Sequence, residues 1–169
     1  MEELNLSGTD HVLVIDLGEK KLAFRQAGTC VEDYPISCRK RPRSCRDGSL
    51  GTPWGLHEVV EKHGAGEAAG TVFVSRKSTG EHWSDRGDAG PDQKCLVTTR
   101  ILRLRGLEPG LNAGNGIDSY DRYIYIHGTN HPHRFPENIS AGCLLMRDDD
   151  LMDLFDKVPV GTHVWISPP

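Results

Sequence analysis

Tyr123-Ile124-Tyr125-Ile126-His127-Gly128-Thr129-Asn130, followed further on by Ser140-Ala141-Gly142-Cys143, is the stretch on which the reading of this chain turns. The apolar run from Tyr123 to His127 predicts a buried strand. It runs into a loop rich in Gly, Thr, Asn and Pro, so the histidine is delivered to a strand end. Cys143 comes sixteen positions after His127, behind the small residues Ser140, Ala141 and Gly142. Catalysis by a thiolate needs an imidazole within hydrogen-bond reach of the sulfur. It also needs small neighbours that leave the sulfur open to a carbonyl. In a chain with 8 His and 5 Cys a Cys/His pair alone carries little weight. The flanking residues and the rest of the chain supply it.

Outward from that stretch, short strands alternate with Gly-containing turns. Val12 to Asp16, Lys21 to Gln26 and Cys30 to Ile36 predict a meander, which favours a β-sandwich or barrel. Gly51-Thr52-Pro53-Trp54-Gly55 predicts a rigid, shaped turn, because Pro restricts φ and Gly widens it. Leu56 to Glu61 and Thr71 to Ser75 read as strands, with a loop over Lys62 to Ala69. Ser78 to Gln93 is polar and glycine-rich and predicts a long lid or surface loop. Cys95 to Leu104 is the longest strand-like run, and Leu107 to Ser119 a second long loop. One helix is expected, over Asp148 to Val158, where Leu151, Leu154, Phe155 and Val158 share a face. Asp148, Asp149 and Asp150 suit its N-terminus, one of them as the cap, and Pro159 closes it. Gly161 to Ile166 predicts a final alternating strand.

The chain has 169 residues, which fits one domain, and a net charge of −4, which argues against general nucleic-acid binding. Its apolar runs fall short of the roughly 18 residues of a membrane span. The five cysteines are Cys30, Cys38, Cys45, Cys95 and Cys143. Their odd number means at least one free thiol or an intermolecular bond. The lack of a C-x-x-C pair argues against a zinc ribbon or thioredoxin-like site, and a free catalytic thiol beside four others suits a reducing compartment. Met1 to Asp10 carries neither a basic n-region nor an apolar h-region, so the chain as written is expected in the cytoplasm. The alternative is the periplasm or cell wall, if a signal has been removed. Arg39 to Arg46 holds five basic residues in eight positions, either a solvated loop or a patch for an anionic substrate.

Ile126-His127-Gly128-Thr129 with Ser140-x-Gly142-Cys143 resembles the catalytic signature of the L,D-transpeptidases, the YkuD domain. Thr52-Pro53-x-Gly55 resembles that family's upstream motif. Val14-Ile15-Asp16, Tyr34-Pro35-Ile36-Ser37, Arg122 to Ile126 and Gly161-Thr162-x-Val164-x-Ile166 follow its order, so the likeness covers residues 11 to 167 as a single domain. The resemblance implies a mainly β fold, a barrel-like β-sandwich with one helix in the C-terminal region and long loops. It implies a cysteine acyl-enzyme that needs no cofactor or metal. Cys143 is then the nucleophile and His127 the base, oriented by the carbonyl of Gly128, with the oxyanion held by N–H groups at Gly142 and Cys143. Thr129, Ser140 and Arg147 are expected to touch the substrate. The partners implied are peptidoglycan stem peptides or muropeptides. The thiolate attacks the third residue of a tetrapeptide stem and releases the terminal D-Ala. An amine acceptor gives transpeptidation, and water gives L,D-carboxypeptidation.

Two positions depart from the family pattern. Ala141 stands where a histidine is usual, and Leu145 where an arginine or asparagine is usual. A cation missing at 145 is expected to come from Arg147 or from the Arg39 to Arg46 stretch. Two readings of other classes stand beside the enzyme. A non-catalytic wall-peptide binding module predicts an inert Cys143, where an enzyme predicts a thiol of low pKa. A zinc hydrolase would use His127, His131 and His133, although His131 and His133 are expected on the surface near the site mouth. In the cytoplasm, trimming or D-amino-acid exchange on recycled tetrapeptides replaces cross-linking.

Overall fold

The computed structural model describes residues 9–38, 42–90, 93–137 and 140–169. Arg39, Lys40 and Arg41 of the basic stretch lie outside the described residues. The chain opens as the expected meander, β1 (His11–Asp16), β2 (Lys21–Gln26) and β3 (Thr29–Pro35). Asp16 makes the first turn by accepting the N–H groups of Gly18 and Glu19 at 2.8 and 3.0 Å. The second is a two-residue turn with positive φ at both Ala27 and Gly28, the hand that matches strand twist.

The remaining strands are β4 (Gly55–His63), β5 (Thr71–Val74), β6 (Lys77–His82), β7 (Val97–Gly106), β8 (Tyr125–Gly128), β9 (Leu144–Leu145) and β10 (His163–Ile166). They form one mixed sheet in the order β3-β2-β1-β10-β4-β7-β5-β6, with β8 on β7 and β9 on β8. β10 runs parallel to β1 and antiparallel to β4, and so joins the two ends of the chain. β8 and β9 are also parallel. Parallel neighbours need a crossover connection. Here the crossover is the 129–143 segment, which carries the cysteine. Beyond β3, Ser37 exchanges two main-chain hydrogen bonds with Leu145 of β9, at 2.8 and 2.9 Å. That bridge curls the open sheet toward a barrel-like shape.

Alternation decides which side chains fill the curl. Leu13 and Ile15, Leu22 and Phe24, Leu102 and Leu104, Ile124 and Ile126, and Val164 and Ile166 form one buried cluster. The helix α1 (Asp148–Lys157) lays Leu151, Leu154 and Phe155 into the same cluster and packs on β7 and β8. Lys62 of β4 donates to the carbonyls of Phe155 and Val158, both at 2.6 Å, and so satisfies the helix C-terminus.

Several expectations need correction. Lys77–His82 is a strand, not part of a loop. All six of its side chains are exposed at the sheet edge, so it has no apolar alternation to read. β4 extends through Lys62 and His63. Tyr123 lies before β8, at φ 55°, and its side chain is 55% exposed. None of the three aspartates caps α1. Arg147 holds the cap position without a side-chain bond, and the aspartates occupy the first turn. Leu154→Ala removes a wholly buried side chain from the contact between helix and sheet. It is expected to lower the urea unfolding free energy by about 2–5 kcal/mol with an unchanged m-value.

Candidate active site

The site is built on an irregularity between β7 and β8. Thr98 pairs with Gly128, but the next pair is Ile101 with His127, so β7 carries extra residues there. A bulge of this kind bends a strand and re-aims its side chains. Thr99 sits in it at φ 70°, fully buried. A β-branched residue in the left-handed region costs about 1–3 kcal/mol and needs surrounding support. Support comes from both sides of its hydroxyl. Thr99 Oγ1 donates to Asp148 Oδ1 at 2.5 Å and accepts the Gly70 N–H at 2.9 Å. Asp148 is the first residue of α1, so the helix start and the bulge are tied together.

Gly128 packs into the hollow of this bulge. A Cβ on it would lie 2.7 Å from Thr98 Oγ1 and 2.9 Å from both Asp148 Oδ1 and the Thr98 carbonyl. Close approach, not backbone conformation, therefore requires glycine. The Gly128 carbonyl accepts a hydrogen bond from His127 Nδ1 at 2.6 Å. A carbonyl can only accept, so Nδ1 carries the proton and Nε2 is the basic nitrogen. Along β8, Ile124 and Ile126 face the core, while Tyr125 and His127 face the other side.

On that side lies a cleft of ≈ 350 Å³ lined by Cys95, Val97, Arg122, Tyr123, Tyr125, His127, Ser140, Ala141 and Cys143. His127, Cys143 and Ser140, all expected at the site, thus share one cavity. Ser140 Oγ donates to the Cys143 carbonyl at 2.9 Å and tightens the cysteine loop. Gly142 has φ 106°, and a Cβ on it would lie 2.6 Å from the Gly51 carbonyl. The Gly51 to Gly55 turn therefore presses directly on the cysteine loop. The main-chain N–H of Tyr125 donates to Cys143 Sγ at 3.4 Å, and the thiol faces the Tyr123 carbonyl at the same distance.

Burial sets the protonation states. His127 is only 2% exposed, and desolvation takes its pKa from 6.5 down to about 4, against a smaller upward pull from the Gly128 carbonyl. Cys143 is 9% exposed, and desolvation pushes its thiol from 9.0 up to about 12. The Tyr125 N–H and the Arg122 charge pull the other way, less strongly. At neutral pH the pair rests as thiol and neutral imidazole. The thiol of low pKa set from sequence as the mark of an enzyme is not what this buried site holds at rest. Turnover, not the resting thiol pKa, therefore separates an enzyme from a binding module.

Other expected residues fall elsewhere. Thr129 is buried and orders its loop by accepting the His131 N–H at 3.0 Å. Arg147 is exposed, with its guanidinium 4.9 Å over the Phe135 ring, and does not line the cleft. Arg43 donates to the Ser167 and Pro168 carbonyls, also away from the lining. Leu145 is buried at the seam with Ser37. His131 is buried rather than on the surface, because the loop turns inward. The Asn130 amide pins it by accepting the Leu96 N–H at 2.7 Å and donating to the Lys94 carbonyl at 3.3 Å. Among the described residues no three His, Cys, Asp or Glu side chains converge as a metal-binding group. Arg122, Tyr125 and Cys95 are lining residues that sequence reasoning did not assign. Only Tyr125 had a readable signal, its two-residue spacing from His127.

A curled, mixed β-sheet with a buried histidine on one strand end and a cysteine across the same cleft defines a class, a β domain built around a Cys–His pair. The L,D-transpeptidase catalytic domain (YkuD) family model matches residues 10–166, and the chain belongs to that family. It is 49% identical over 155 residues to the probable L,D-transpeptidase ErfK/SrfK of Escherichia coli, covering 91% of this chain and 43% of that protein. The ErfK/SrfK protein of Salmonella typhimurium is 29% identical with the same coverage. The chain thus spans less than half the length of these curated relatives. The L,D-transpeptidase of Xylanimonas cellulosilytica superposes with a TM-score of 0.58 over 95% of this chain and 62% of that one. At 18% identity that likeness concerns the fold.

Two buried histidines make stability pH-dependent. His57 bonds Gly55 O and Ser119 Oγ at 3.0 and 2.9 Å, and burial lowers its pKa to about 4, as for His127. The unfolded chain binds these protons near pH 6.5 and the folded chain only near 4, so acid favours unfolding in that window. Unfolding free energy from urea titrations is expected to be level between about pH 7 and 8 and to fall between about 6.5 and 4. The slope approaches about 1.4 kcal/mol per pH unit for each histidine. His127→Asn should remove about half of it.

Proposed function

We propose that the protein is a cysteine acyltransferase of its family, acting on peptidoglycan tetrapeptide stems. The observation that carries this is the shared cleft of Cys143 and His127, with His127 Nδ1 committed to the Gly128 carbonyl and Nε2 left as the base. Cys143 Sγ attacks the carbonyl of the third stem residue while Nε2 takes the thiol proton. The tetrahedral oxyanion is met by the N–H groups of Gly142 and Cys143. Collapse breaks the peptide bond, His127 returns the proton to the leaving amine, and D-Ala departs. A thioester on Cys143 remains. An amine from a second stem, or a free D-amino acid, then gives transpeptidation or exchange, and water gives L,D-carboxypeptidation.

A neutral resting pair suits this sequence of steps. The sulfur is ionised as it attacks, so the free enzyme carries little thiolate for adventitious electrophiles. Ser140 and Thr129 act by shaping the loop around the nucleophile, whereas Arg147 is outside the cleft lining, with its guanidinium over the Phe135 ring. In the periplasm the acceptor would be a neighbouring stem. In the cytoplasm trimming or exchange of free tetrapeptide fits better.

Tetrapeptide incubated with the protein, with and without a free D-amino acid, and read by mass tests the proposal. A tripeptide product indicates hydrolysis, and an exchanged tetrapeptide indicates transfer. Cys143→Ala is expected to abolish both, and His127→Ala to lower kcat/KM by about 10²- to 10⁴-fold. An unchanged tetrapeptide in both tubes would sink the reading.

A further inference from the structure

Among the described residues, Arg122 supplies the one charged side chain in the lining of the cleft. It stands just before β8, and its guanidinium is pinned from behind by two carbonyls. Nη1 donates to Ser44 O at 2.9 Å and Nη2 to Gly51 O at 2.7 Å. Those bonds engage two of five N–H donors. Gly51 is also the residue against which Gly142 packs, so the cation and the cysteine loop share one support. The side chain is partly buried, yet among the described residues no carboxylate forms an ion pair with it. Asp47 acts on it only at longer range. A partly buried cation whose side-chain hydrogen bonds run to carbonyls, with carboxylates such as Asp47 only at longer range, is incompletely compensated, and an anion arriving in the cleft would gain by meeting it.

Among the described residues, three other arginines on this side of the sheet or expected at the site have partners of their own. Arg103 is buried against Glu61 and the Tyr120 ring. Arg76 bonds the Tyr125 hydroxyl and approaches Glu61. Arg147 stacks on Phe135 away from the lining.

We propose that Arg122 is a specificity-determining residue that binds the terminal carboxylate of the donor peptide, the carboxylate of the residue that leaves. This rests on the acyl-transfer reading above. It explains how a site with Leu145 in place of a cation selects a chain end: an amidated or extended donor offers no carboxylate one residue beyond the scissile bond. Arg122 thereby takes the part expected of Arg147.

The test compares two tetrapeptide donors, one with a free terminal carboxylate and one with a terminal carboxamide, in wild type and in Arg122→Gln. Charge-assisted hydrogen bonds of this kind correspond to a preference of about 10- to 100-fold in kcat/KM for the acid. The variant is expected to bring that ratio to within about 3-fold of unity, mostly through KM. A structural role would lower both donors together and leave the ratio intact, which would overturn the proposal. So would a wild type that does not distinguish the donors. If wild type turns over neither donor, the acyl-transfer reading falls, and the assignment of Arg122 with it. Should Arg122→Gln fail to fold, wild type alone decides the matter. Free D-alanine should then slow iodoacetamide alkylation of Cys143 at least about tenfold more than D-alaninamide does, and equal effects would overturn the assignment.

Discussion

A hydrogen bond of 2.6 Å from His127 Nδ1 to the Gly128 carbonyl holds the imidazole, and much of the domain exists to hold that carbonyl. Gly128 reaches its place because it has no Cβ to strike Thr98 and Asp148. The hollow it fills exists because β7 bulges at Thr99. Thr99 stays in an unfavourable backbone region because Asp148 and Gly70 grip its hydroxyl. Asp148 is placed by α1, and α1 by its apolar face in the core. The line of dependence runs from core packing through the helix start and the bulge to one basic nitrogen.

A main-chain carbonyl in this position differs from a carboxylate. It orients the ring and fixes the tautomer but brings no formal charge to favour an imidazolium. Burial outweighs the carbonyl's own smaller upward pull and keeps His127 neutral through the physiological range. The sulfur is treated alike. Maintaining a thiolate at Cys143 at pH 9, with its thiol pushed up to about 12, would cost on the order of 4 kcal/mol. In the acyl transfer proposed above, one proton would move from Cys143 to His127 as substrate arrives, with no charge pair stored beforehand. The Tyr125 N–H on the sulfur and the nearby guanidinium of Arg122 favour the anion as it forms.

Much of this was legible in the chain. The apolar run into His127 marked a buried strand, and the meander, the helix face and the closing strand were readable from their periodicities. The cysteine and histidine were found by their flanks. What escaped was structure without a local pattern. β6 has no buried face, and β9 is two residues long. The cap of α1 fell on Arg147, because the aspartates that resemble caps serve the first turn and the bulge. Arg122 was invisible as a site residue because its anchors, Ser44 and Gly51, lie more than seventy positions away. The thiol's upward shift was equally hidden, since it comes from burial and not from residue type.

The neutral resting pair is the central claim, and the pH dependence of Cys143 alkylation tests it most directly. Iodoacetamide labelling would be followed by mass on the peptide that contains Cys143, apart from those of the other four cysteines. The rate is expected to climb steadily with pH beyond the ordinary thiol pKa, without a plateau near neutrality. A plateau already reached below about pH 7 would show a stored thiolate–imidazolium pair and contradict the account.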